Sequence, residues 1–447
     1  MPFTTRQRVI LLLLLGASFM FAVDFSILNV ALPEAGAGVG LGKVAWITTA
    51  YALPAAGFTL LFGRLADVIG RRRLFMAGVA LLAGASLLGG FATTPSVLLT
   101  ARALQGFATA MATPAALSLL TTTFTEGAQR DRALGLNGAL LSGGFTVGAL
   151  VGGALVSLLG WRAAFFINVP VALTILAFTP FLVVETARSR KANLDIPGAV
   201  TVTGGLLAVI YAAVEKDLIA AIIGVALLAA FWLIELRSPA PLAPVRILKR
   251  PTVKWGNYAG LIVFTMEPAM IFLLTLYLQQ VLGFAPLATG LIFGIPGLAS
   301  VAAGVIAGRF IGRFGSHKVL TTGLAVQGLA TLPLVFTGTD RLALLLVIPA
   351  LFIGFFGHVT AIVAYTVTAT SGLPDTEQGL ATGLTSMTQQ VAITIGIPLL
   401  STLPLHPALT LDVALTLISV LLIHHGLRRR TTQPAKEPAT SVVRSSQ

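Results

Sequence analysis

Apolar runs of about twenty residues, separated by arginine, proline and glycine clusters, recur from one end of the chain to the other. They fall at 9–33, 43–64, 74–92, 97–122, 132–159, 162–184, 196–214, 217–236, 254–283, 287–312, 317–336, 342–369, 378–400 and 408–427. A helix needs about 20 apolar residues to cross a hydrocarbon core of roughly 30 Å. Lipid offers no partner to an open backbone, and the runs are too long for barrel strands, so each is predicted to be a helix. The pattern therefore predicts an all-α integral membrane protein with fourteen spans, short loops and no large soluble domain.

Composition agrees. The chain has 447 residues, 56% of them hydrophobic and 10% charged, where a soluble domain carries about a quarter. Mean hydropathy is +0.93. The lipid bilayer is the expected solvent. Arg6 and Arg8 before Val9–Leu15 resemble the start of a signal peptide, but the apolar stretch continues to Pro33 and is read as a first transmembrane helix.

The net charge of +13 would suggest nucleic acid in a soluble protein. Its distribution argues otherwise. With a cytoplasmic N-terminus, 24 of the 29 lysines and arginines fall in cytoplasmic segments; Lys43, Arg162, Lys216 and Arg341 fall outside, and Arg102 lies within a span. This is the positive-inside asymmetry. No nucleic acid is expected as a partner, and both termini are expected in the cytoplasm. The tail 431–447 is polar and expected to be disordered.

Other chemistries lack their residues. There is no cysteine, hence no disulfide or thiolate metal site. No His-Glu-x-x-His occurs and the five histidines are scattered, so no metal is expected. Gly42-Lys43-Val44 lacks both the first glycine and the hydroxyl of a nucleotide-binding loop, so no ATP-driven step and no cofactor is expected. The chain reads as no enzyme.

An internal repeat organises the spans. The segment from Gly63 to Leu74 reads against Gly308 to Val319 at an offset of 245 residues, each following the second helix of a six-helix unit. Arg132–Gly135 and Glu377–Leu380 open comparable helices at a similar offset. The expected domains are a six-helix bundle at 1–190, an inserted helix pair with linkers at 191–250, a second six-helix bundle at 251–430 and the tail at 431–447. Parallel halves with a substrate site between them are a transporter architecture.

Ionisable residues deep in a span cost about 3 kcal/mol on insertion scales and point to function. Asp24, Arg102, Glu267 and His358 lie within spans, while Glu34 and Asp412 lie near helix ends and read as solvated. The bland alternatives are an acid paired structurally with Arg102 and a packing histidine. Desolvation favours the neutral acid, so a membrane carboxyl can exchange protons near working pH. A cationic substrate and a proton then compete for one charge. Asp24, Arg102 and Glu267 are the expected proton-coupling residues, and Asp24, Gln105, Glu267 and His358 the expected substrate contacts. Tyr258, Phe264 and Phe272 offer aromatic neighbours to Glu267.

Two further groups suggest conformational gating. Gly144, Gly148, Gly152 and Gly153 put small residues on a helix face that allows close packing, for tight contact alone or for a rocking surface. Arg71, Arg72 and Arg73 follow Asp67 in a basic loop, either as topology charge or as a latch made in one conformation and lost in the other.

Together these residues resemble the major facilitator superfamily, and specifically its fourteen-helix drug–proton antiporter family. Gly63, Asp67, Gly70, Arg71 and Arg72 match the superfamily's loop signature. Asp24 with Asn29-Val30-Ala31-Leu32-Pro33, Trp46 with Ala50, Tyr51 and Leu53, and Arg102 with Gln105, Gly106 and Pro114 resemble the motifs of helices 1, 2 and 4. Trp161–Pro170 and Asp195 with Gly198-Ala199 match further segments. There are two departures: Ala149 stands after Gly148 where the antiporter motif has proline, and Gly312 stands where the second repeat would carry an acid. The resemblance implies a major facilitator fold, Asp24 as a proton or substrate-cation carboxylate, and Arg102 as the partner that tunes it. It implies proton-coupled efflux of amphiphilic, in part cationic, drugs or antibiotics by a monomer in the bacterial cytoplasmic membrane. A transporter of one metabolite, such as an amino acid or siderophore, is the second reading. A non-transporting sensor is the third, and it lacks the soluble signalling domain it would need.

Overall fold

The computed structural model describes residues 4–124, 128–185, 195–238, 241, 247, 249–373 and 375–428, with some side chains inside these ranges, Arg64 and Asp67 among them, outside the description. The described residues are helical throughout, in fourteen segments: α1 Thr5–Val39, α2 Ala45–Ile69, α3 Arg71–Gly90, α4 Pro95–Thr123, α5 Ala128–Leu159, α6 Ala163–Leu182, α7 Ile196–Glu215, α8 Leu218–Arg237, α9 Pro251–Leu276, α10 Pro286–Phe314, α11 Ser316–Thr331, α12 Leu344–Thr370, α13 Asp375–Ser401 and α14 Leu405–Arg428. Each coincides with one apolar run. Several extend beyond it, because a helix continues into water once its central turns are fixed; α1 gains a turn at each end. The tail 431–447 lies outside the described residues.

Local sequence sets many of the ends. Thr4 and Gln7 form a reciprocal capping box at α1, with the Thr4 hydroxyl accepting from the Gln7 backbone at 3.2 Å. Asp195 caps α7 and Asp217 caps α8. Proline opens α4, α9 and α10, where its missing N–H costs nothing. Gly40, left-handed at φ 74°, closes α1.

Both halves pack by one scheme. In the first, α1 packs on α4, α5 and α6, while α2 and α3 pack on α4 and α3 on α6. In the second, α9 packs on α12, α13 and α14, α10 and α11 pack on α12, and α11 on α14. The halves meet along two seams, α5 on α10 and α2 on α13, which the repeat relates to one another. The hairpin α7–α8 lies astride the α2/α13 seam. Its outer surface carries exposed Leu218, Ile219, Ile222, Leu233 and Leu236, an apolar face suited to lipid. Both described ends, Thr5 and Arg428, lie at one end of the bundle, called here the terminal end; the other is the distal end.

The glycines of α5 serve two surfaces. Gly144, Gly148 and Gly152 pack on α1, where a methyl at Gly148 would lie 2.7 Å from the Ser26 side chain and one at Gly152 would lie 2.9 Å from the Ile27 backbone. Gly153 faces the other half, against Pro286, Leu287 and Gly290 of α10. Helix α10 answers with Gly290 against Ala149, Gly294 against Leu150 and Gly297 against Thr146. The Leu287 backbone donates to the Ser157 hydroxyl at 2.9 Å, and the Gln279 amide donates to the Val30 carbonyl at 2.9 Å. These contacts between halves all lie in the distal half of the bundle.

Candidate functional site

The first polar cluster is sealed inside the first bundle, where α1, α2, α3, α4 and α6 converge. Asp24 of α1 is fully buried and Arg102 of α4 is 1% exposed. The Arg102 guanidinium donates to Asp24 at 3.2 Å, to the Gln105 amide oxygen at 2.7 Å and to the Ile47 carbonyl at 3.1 Å, and it lies 4.4 Å from the centre of the Tyr51 ring. Gln105 donates in turn to Asp24 at 3.2 Å and to the Ser86 hydroxyl at 2.9 Å. Asn168 of α6 also donates to Asp24. The carboxylate thus accepts from three side chains, and a permanent cation balances its charge. Buried pairs persist when the remaining lone pairs are satisfied in this way. Sequence reasoning placed Asp24, Arg102 and Gln105 here. It missed Ser86 and Asn168, which are neutral and give no signal of insertion cost.

The second cluster lies in the second bundle. The Glu267 carboxylate of α9 contacts Nε2 of His358 on α12 directly. They are 5% and 7% exposed. Phe264 and Phe355 flank the imidazole, with ring centres 6.2 and 6.4 Å away. Phe145 of α5, from the first half, lies 6.5 Å from Phe355. Of the aromatics expected beside Glu267, Phe264 is in this cluster, whereas the Tyr258 hydroxyl bonds to Ser419 at 2.9 Å. Asp412 of α14, read from sequence as solvated, is 2% exposed and near enough to Glu267 to act on it electrostatically. Its place near a helix end gave depth but not the face, and that face packs inward. Helix α9 continues through Pro268, and a π turn at Tyr277–Val281 follows it.

Repeat symmetry relates the clusters. Asp24 and Glu267 stand 243 residues apart on the first helix of each half, and Asn168 and Asp412 stand 244 apart on the sixth.

The basic loop makes a third feature. The Glu185 carboxylate, just past α6, accepts from the backbone N–H groups of Arg72 at 3.1 Å and Arg73 at 3.2 Å. The Arg72 guanidinium donates to the carbonyls of Pro180 and Val183. Gly70, at φ 114°, makes the corner, and a methyl there would lie 2.8 Å from the Glu185 carboxyl carbon. Gly63 is under no such constraint, with Pro114 in ordinary contact at 3.7 Å. The side chain of Asp67, the acid expected to act here, lies outside the description.

On the distal side, Glu215 at the end of α7 accepts from Lys43 at 2.9 Å and from the Trp46 indole at 3.1 Å. These hydrogen bonds hold its carboxyl below the usual glutamate range. Trp46 also packs on Tyr211, and the Thr203 hydroxyl donates to the Gly57 carbonyl at 2.5 Å, so α7 is tied along α2.

Two repeat-related helical bundles with buried ionisable residues on helices 1, 4, 9 and 12 are the architecture of a membrane transporter. Comparison with known proteins gives its family. Residues 14–397 match the family model described as Major Facilitator Superfamily, and the chain belongs to that superfamily. It is a multi-pass membrane transporter and not an enzyme. It is 35% identical over 407 residues to the puromycin resistance protein pur8 of Streptomyces alboniger, covering 88% of this chain and 80% of that one. It is 34% identical to the cephamycin export protein CmcT of Amycolatopsis lactamdurans, covering 89% and 85%. It is 31% identical to the multidrug resistance protein Stp of Mycobacterium tuberculosis, covering 88% and 75%. Among solved structures, the peptide transporter PepTSo superposes with a TM-score of 0.74 at 14% identity, covering 97% of this chain and 100% of that one, a likeness of fold alone.

Proposed function

We propose that this chain exports antibiotics or other small amphiphilic drugs across the bacterial cytoplasmic membrane in exchange for protons, by alternating access, with both termini in the cytoplasm. One observation carries the export reading: relatives named for antibiotic resistance or export align with 88% and 89% of the chain at about a third identity. The coupling reading rests on acids buried in both bundles, Asp24 and Glu267. A proton entering across about 150 mV releases roughly 3.5 kcal/mol. Alternating access gives such an acid to each side in turn, and substrate or proton neutralises it. Asp24, Gln105, Glu267 and His358 are the proposed substrate contacts. The loop of Gly63, Asp67, Gly70, Arg71 and Arg72 and the glycine surface of Gly144, Gly148, Gly152 and Gly153 guide the conformational change. With the termini inside, the distal contacts of α5 with α10 lie toward the outer face of the membrane.

The test is a susceptibility panel in a pump-deficient host, followed by transport in liposomes with a compound from that panel. A protonophore should abolish export, and ATP depletion with the gradient held should not. Export that survives collapse of the gradient refutes the coupling.

A further inference from the structure

The two repeat-related acids sit in opposite electrostatic surroundings. Asp24 accepts from Arg102, Gln105 and Asn168, and Arg102 cancels its charge. Glu267 contacts the His358 imidazole, and the other charged group acting on it among the described residues is an acid, Asp412. Among the described residues, the titratable side chains inside the second bundle are Glu267 and His358, Asp412 on α14, and Tyr258, Tyr277 and Tyr365, whose hydroxyls are bonded to Ser419 and to the Gly338 and Thr385 carbonyls. The cations of α9 to α14 stand near helix ends: Lys254, Arg309, Arg313, Lys318, Arg341 and Arg428. An uncompensated carboxylate is unfavourable in so apolar a setting, and so is an uncompensated imidazolium. One proton between Glu267 and His358 leaves the pair neutral, whichever residue carries it. Nearby Asp412 adds no positive charge to replace that proton.

Resting on the proposed exchange of drug for protons, we infer that the Glu267–His358 pair is the exchange site: it holds one shared proton and gives it up to a lipophilic cation that takes its place beside the carboxylate. The balance is one proton released for one positive charge bound, with no covalent change. The His358 Nδ1 atom is buried without a partner among the described residues, an open polar position on the far side of the ring. Phe264 and Phe355 supply aromatic surface for a cation, and Phe145 brings the first half to its edge. The Asp24 carboxylate, by contrast, already has Arg102 as its counter-charge.

The experiment is calorimetric binding of tetraphenylphosphonium to the purified full chain at pH 7.5, in two buffers of different ionisation enthalpy, which counts protons released. Wild type should release about one proton per cation bound. Glu267→Gln should bind at least tenfold more weakly and release none. Glu267→Asp should restore release, which separates loss of the site from loss of the fold. His358→Gln should move the pH of half-maximal release by a unit or more. Failure of wild type to bind the cation overturns the assignment, as does release that persists in Glu267→Gln or fails to return in Glu267→Asp. Export that proves independent of the proton gradient, with release intact, would count against the coupled-export reading and leave this site standing.

Discussion

Glu185 closes the first turn of α3 by accepting the backbone N–H groups of both Arg72 and Arg73. A carboxylate at a helix N-terminus satisfies orphan donors and meets the positive end of the helix dipole. The arginines of the basic loop thus contribute through their backbone as well as through their charge. Glu185→Ala is expected to destabilise the first bundle by about 1 kcal/mol. Gly70→Ala should cost more, because it strains a left-handed backbone and drives a methyl into the same carboxylate. Thermal unfolding of the detergent-solubilised protein measures both. A Gly70→Ala variant as stable as wild type would refute the clamp.

The buried pair in the first bundle predicts a thermodynamic cycle. Asp24→Asn leaves Arg102 desolvated without its counter-charge, and breaking such a pair from one side costs roughly 3–5 kcal/mol. Adding Arg102→Gln should recover much of the stability and none of the transport. Additive losses in the double variant would show that the two side chains do not interact.

At the distal end, Glu215 predicts a pH-dependent contact. Its carboxyl is held below its reference value of 4.5 by Lys43 and Trp46. The contact is therefore favourable above that value and is lost as pH falls through the lower, folded-state value. Fluorescence of Trp46 should change on acidification below about pH 4.5, and Glu215→Gln should abolish that change. A transition at neutral pH would contradict the assignment.

The seam between the halves makes a mechanical prediction. Gly290, Gly294 and Gly297 of α10 let α5 approach so closely that side chains there would meet Ala149, Leu150 and Thr146. Gly297→Leu should disfavour this close contact of α5 with α10 without touching either polar cluster. Spin-label pairs across the distal ends of α5 and α10, placed in this cysteine-free chain, should move apart. An unchanged distance distribution would mean that the seam does not depend on glycine.

Orientation remains a separate prediction. Reporters fused after residues 40 and 216 should read outside, and those after 190 and 440 inside. A cytoplasmic reading at 216 would remove the inserted helix pair and reduce the count of crossings to twelve.

The fourteen helices were legible because lipid punishes every alternative, and each run marks one helix even where the helix extends past it. Asp24, Arg102 and Glu267 were legible for a related reason: a charge within a run stands out. What the sequence hid was direction. Asp412 gave its depth and not its face, so its burial was missed. Glu185 carried no sequence signal, because the N-terminus it caps lies 113 residues away. The α10 glycines Gly290, Gly294 and Gly297 also recur at helical spacing, but nothing in the spacing says which helix each surface meets. Ser86 and Asn168 carry no charge and are visible only through the partners they touch.

The corner at Gly70 has a twin. Gly315, at the same place in the repeat, turns the chain at φ 84° and ψ 149°, against φ 114° and ψ 131° at Gly70. Among the described residues, nothing stands within 4 Å of a methyl built on Gly315, whereas Gly70 holds a docked carboxylate. Duplication of one ancestral half accounts for the shared bend, and the docked acid is where the copies have diverged. Backbone shape is the heritable part of this hinge, and the contact that exploits it is the part each copy is free to rewrite.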